Sequence, residues 1–194
     1  MTPKRLSAKF FVTQSPDINL PDFLPVFQRW IQRDAVEGML IDVVDYAHVH
    51  HGPGVILIGD EADYSLDLAE GRPGVLYTRK RAMPPALQDA LQTAVRLALT
   101  AAQQLEQETT LKNLSFDYSE IQLKFLDRLN APNTAETFEA LKAELQAFAD
   151  SLYDGAEIVR ADGDSREALT ITIKSPAPVE AETLAQRLRE VIAG

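Results

Sequence analysis

All three histidines of this chain, His48, His50 and His51, fall within four residues. Imidazole is the side chain best suited to ligate divalent metals or move protons near neutral pH. The run from Met39 to Val49 reads as a strand, and His50-His51-Gly52-Pro53-Gly54 reads as its turn. Side chains alternate along a strand, so His48 and His50 are expected on the face that carries Asp42 and Tyr46. Two imidazoles at i and i+2, with a carboxylate from Asp42, make one route to a zinc-type site; Asp45, Asp60, Glu61 and Asp63 are the alternatives. Gly52 and Gly54 leave backbone groups open to close approach by a ligand. In this pairing Val49 faces Val55 and Ala47 faces Leu57. The run H-V-H-H-G-P lacks the aspartate and the distant histidines of an H-x-H-x-D-H site. Gly52 stands where a third alternating histidine would be.

A second cluster is positive. Arg72 is followed by Arg79-Lys80-Arg81, and Val75, Tyr77, Arg79 and Arg81 share the parity of one strand face. Guanidinium forks suit carboxylate or phosphate. If this strand shares a sheet with the histidines, Arg79 or Arg81 comes within reach of the turn over residues 50–54. The two groups then frame a site for a small anionic ligand. The competing use of such charge is to guard an edge strand.

The elements that must position these groups read as α+β. Strands are expected over 8–14, 39–49, 55–58, 64–68, 75–79, 115–128, 156–160 and 169–173. The alternation in 115–128 changes phase near Ser119-Glu120, which predicts a bulge. Helices are expected over 21–34, 84–108, 134–152 and 182–192, the first three with an apolar stripe. The sheet is mainly antiparallel, with helices on one face. Two halves, 1–110 and 111–194, share an element order, as two domains or one continuous one. That order suggests a β-α-β-β-α duplication in which residues 8–60 and 116–174 superpose and the hairpin 64–81 is extra. The alanines of the long helix (Ala90, Ala94, Ala98, Ala101, Ala102) permit close approach and predict a homodimer.

Composition removes several classes. There is no cysteine, hence no disulfide, thiolate nucleophile or Cys-type metal site. Asp60-Glu61-Ala62-Asp63 has no phosphate loop beside it, and no G-x-G-x-x-G, G-x-S-x-G or H-E-x-x-H run marks a cofactor or catalytic site. The net charge is −10, with both halves acidic, which argues against nucleic-acid binding. No apolar run reaches membrane length, and the N-terminus lacks a secretory pattern, so a cytoplasmic chain is expected. Two functions remain. The first is a non-catalytic binding or protein-interaction module with a small polar site at the histidine turn. The second is a metal- or histidine-dependent enzyme acting on a small anionic substrate.

Overall fold

Leu6, Ala8 and Phe10 alternate with Ser7, Lys9 and Phe11 along the first strand, and that alternation defines the two faces of the whole sheet. A computed structural model describes residues 3, 5–13, 18–46, 48–49, 52–81, 84–111 and 113–193, without the side chains of 191–193. The elements are β1 (Leu6–Val12), a 3-10 turn (Leu20–Asp22), α1 (Phe23–Arg33), β2 (Leu40–Asp45), β3 (Val55–Gly59), β4 (Ala62–Asp67), a second 3-10 turn (Ala69–Gly71), β5 (Gly74–Arg79), α2 (Leu87–Gln107), β6 (Phe116–Phe125), α3 (Ala135–Leu152), β7 (Glu157–Arg160), β8 (Leu169–Lys174) and α4 (Ala181–Ala193). The strands form one antiparallel sheet in the order β2-β3-β4-β5-β1-β6-β8-β7.

The helices cover one face. α2 lies on β1 and β5 and touches α3 and α4, while α1 lies on β2 and β3. The alanine stripe of α2 is consumed here: Ala98, Ala101 and Ala102 are fully buried in the chain's own core. Small side chains let the helix sit close to the sheet, so the stripe is not available to a second copy, and the ground for expecting a homodimer is gone. Thr134 caps α3 by accepting from the Thr137 amide at 3.2 Å. The expected bulge is present in β6. Phe10 pairs with Ile121 but Phe11 pairs with Asp117, so residues 118–120 are looped out of the ladder.

Both halves belong to one sheet and one core, joined where β1 pairs with β6. Residues 8–60 and 116–174 do not superpose as β-α-β-β units. β8 lies beside β6, whereas β3 is three places from β1. The element that matches β7–β8 is β4–β5, because β5 returns to β1 as β8 returns to β6. The extra hairpin is therefore β2–β3, at the outer edge, and not 64–81.

The face away from the helices is closed by charge. Lys9 reaches across β5 to Asp67, Nζ to Oδ2 at 2.6 Å, with only 3% and 9% of the two side chains exposed. Gly74 makes that path: a Cβ there would lie 2.3 Å from the Phe10 carbonyl and 2.7 Å from Lys9 Cε. The Arg72 guanidinium stacks 3.6 Å from the Phe11 ring centroid and pairs with both Glu120 oxygens. Glu70 pairs with Lys124 at 2.6 Å.

Gly74→Ala is expected to destabilise the protein by about 1–3 kcal/mol in urea unfolding, since the methyl meets backbone as well as a side chain. Lys9→Met, which strands Asp67, should cost about 3–5 kcal/mol. The double change Lys9→Met, Asp67→Leu should return to within about 1 kcal/mol of wild type. Burial holds the Lys9 ammonium below its ordinary pKa of 10.5, against the opposing pull of Asp67. Between the folded value and 10.5 the unfolded chain binds this proton more tightly. Wild-type stability should therefore gain from this group as pH rises through that window, and the double variant should lack the gain.

Candidate functional site

The histidine segment is not the strand its alternation suggests. β2 ends at Asp45, which pairs with Val55, and the Tyr46 amide donates to the Gly54 carbonyl at 2.8 Å. The expected pairing of Val49 with Val55 is thus displaced by four residues, and His48, Val49 and Gly52 lie outside the strands. His48 is exposed in the β2–β3 connection, stacked against Tyr46 with ring centroids 6.4 Å apart. His50, His51 and Ala47 lie outside the described residues. Gly52 and Gly54 serve the loop's own packing. A Cβ at Gly54, whose φ is +69°, would fall 2.2 Å from the Leu66 carbonyl, and one at Gly52 would fall 2.7 Å from Val49 Cβ. Asp42 accepts from the Val43 amide at 2.8 Å. Among the described residues no group of three histidine, aspartate or glutamate side chains is arranged to hold a metal.

The positive run lies at the other end of the strands. Val55, beside the loop, pairs with Leu66, whereas Arg79 pairs with Ala62, next to the β3–β4 turn. Four residues of strand separate these ends, about 13 Å. The structure therefore does not bring Arg79 or Arg81 to the histidine loop. β5 is also an interior strand, between β4 and β1, and not an edge. Its cations clamp the β3–β4 turn instead. Arg79 pairs with Glu61 at 2.9 Å, Lys80 with Asp63 at 2.8 Å and the Gly59 carbonyl at 2.6 Å, and Arg81 with Asp60 at 2.5 Å. β5 stops at Arg79, so Arg81 does not continue the Val75-Tyr77-Arg79 face.

This clamp forms one wall of a narrow cleft. Glu37, Gly38, Met39 and Leu40 make the opposite wall, and Tyr77 and Leu97 make the floor. The cleft offers about 40 Å³, room for one or two water-sized groups. The Tyr77 hydroxyl is buried beside the Arg79 guanidinium, and burial pushes its pKa up. Tyr64 packs edge-on against Tyr77 and donates to the Glu37 carbonyl at 2.9 Å.

The cleft opens onto β2, the edge strand. Met39 is 71% exposed, Ile41 56%, Val49 43% and Tyr46 39%. Two thirds of the large apolar side chains exposed among the described residues thus lie on or beside this one strand; Leu129 and Val159 are elsewhere. Ile41 projects because the ladder slips between Leu40 and Asp42. The strand is also acidic. Residues 34–71 hold nine carboxylates and no lysine or arginine. Six of the nine are answered by cations from elsewhere in the chain, among them Arg96, which pairs with Glu37 at 2.9 Å. Asp34, Asp42 and Asp45 are exposed along the edge.

A second depression, of about 420 Å³ and open to solvent, gathers Arg5, Arg128 and Arg166 around Leu129. Arg166 is spent on Asp164 at 2.8 Å, and Arg128 donates to the Arg166 carbonyl. Arg128 thereby ties the loop after β6 to the β7–β8 hairpin. Sequence reasoning passed over both the apolar edge and this cluster. The thirty-eight-residue stretch without lysine or arginine was the available signal for the first; the second joins positions remote in sequence. Comparison of the chain with protein-family models, with curated proteins and with solved structures gave no match.

Proposed function

We propose that this chain is a non-catalytic protein-interaction module whose binding surface is the β2 edge, from the Glu37–Arg79 cleft to the loop that carries His48. One observation carries this reading: the exposed apolar side chains Met39, Ile41, Tyr46 and Val49 lie on and beside a strand that has no outer neighbour among the described residues. Scattered single apolar residues are ordinary on a protein surface, whereas a run along one edge is a docking feature. Two further points agree with it. The cationic groups expected to bind an anion are engaged by the protein's own carboxylates. The cleft is far smaller than the few hundred Å³ that a metabolite or cofactor site needs. The polar groups of the loop, Tyr46 and His48, sit at one end of the same surface.

The test is to pan a random peptide library against wild type, with the Met39→Asp, Ile41→Asp variant as counter-selection. Both positions are exposed, so the variant should unfold within about 0.5 kcal/mol of wild type. The expected result is a set of peptides that bind wild type and lose at least about tenfold in affinity on the variant. Enrichment that is equal on both proteins, or absent, would contradict the reading.

A further inference from the structure

Resting on that reading, we infer that the partner is an extended segment of another protein, with alternating apolar and basic side chains, which adds to β2 as a ninth strand. The backbone is the first ground. The Tyr46 amide points to β3, so by antiparallel alternation the Val43 amide points away from it. That amide is occupied only by its neighbour's side chain, the Asp42 carboxylate at 2.8 Å. Such a cap protects a free edge yet is removable, because both groups are exposed or half-exposed. A strand laid beside β2 places a carbonyl where the Asp42 carboxylate now sits. The displaced carboxylate then turns to a cation on the incoming strand, so neither group loses its hydrogen bond.

Charge is the second ground. Asp42 is exposed on β2 beside Ile41, and no lysine or arginine is contributed by residues 34–71. A neutral or acidic segment would bury or oppose the Asp42 carboxylate, while lysine or arginine on the same face matches it. The same charge works against a second copy of this chain. Antiparallel pairing of β2 with itself would set each copy's Asp42 beside a strand that brings no lysine or arginine to meet it. Apolar anchoring comes from Met39 and Ile41, whose exposure the slip at Leu40–Asp42 creates.

The experiment measures fluorescence anisotropy of three labelled nine-residue peptides against the full chain. One alternates valine and lysine, one alternates valine and glutamate, and one is the valine–lysine peptide with two central prolines. The valine–lysine peptide should bind, and its affinity should fall at least about fivefold between about 50 and 300 mM salt. Asp42→Asn keeps an acceptor for the Val43 amide but removes the charge, and should weaken binding about three- to tenfold. The glutamate and proline peptides should not bind, and the Met39→Asp, Ile41→Asp variant should bind none. Unfolding midpoints of the variants verify that they are folded. Equal binding of the proline or glutamate peptide, or of Asp42→Asn and wild type, would overturn the inference. Panned peptides that depend on Ile41 but lack basic or alternating character would overturn it while leaving the interaction module standing; no Ile41-dependent peptide of any kind defeats both. A micromolar dimer in sedimentation that Ile41→Asp dissociates would make a second copy the occupant, and would equally overturn it.

Discussion

An open antiparallel sheet has two faces and two edges, and every backbone group on an edge must be paired, capped or left to water. In this chain the two faces are settled by different means. The helix face is closed by apolar burial, with α2 packed on β1 and β5 through leucines, Val95 and buried alanines. The opposite face is closed by ion pairs, centred on Lys9 and Asp67, with Gly74 holding the passage for the lysine stem. Of the edges, β7 is four residues long. β2 is six residues long and has exposed apolar side chains on and beside it, which makes it the part of the sheet with unfinished business.

The ion pairs follow from the same constraint. Residues 34–71 would carry a large unbalanced negative charge in the folded state unless cations came from elsewhere in the chain. Lys9, Arg79, Lys80, Arg81, Arg96 and Lys124 supply them, and each pair ties this acidic region to an element next to it in space. Half-exposed pairs such as Arg81–Asp60 add little stability each, on the order of 1 kcal/mol or less. They neutralise six of the nine carboxylates of the acidic region.

Much of the fold was legible because its signals are local. The stripes of α1 and α3, the phase change at Ser119-Glu120 and the turn signals around β4–β5 and β7–β8 are fixed by neighbours a few residues away. What failed depended on distant partners. The alanines of α2 look alike whether they face a sheet or a second copy, and only the chain's return path decides between them. Arg79 and the histidines do lie in one sheet, but parity along a strand does not say which end of a neighbouring hairpin is near. The Tyr46–Gly54 hydrogen bond ends β2 four residues earlier than alternation implied, and that single contact moves His48 off the strand. Element order likewise pointed to two similar halves, while strand adjacency shows that the added hairpin is β2–β3, the one that carries the candidate surface.

The most direct measurement is amide hydrogen exchange of the full chain, free and with a saturating concentration of the valine–lysine peptide. If β2 accepts a ninth strand, new protection appears at Val43 and the adjoining amides of residues 40–46, and the amides of β7 and of the loop around Arg128 and Leu129 are unchanged. Protection that appears around Arg5, Arg128 and Arg166, or along β7, with β2 unaltered, would contradict the account.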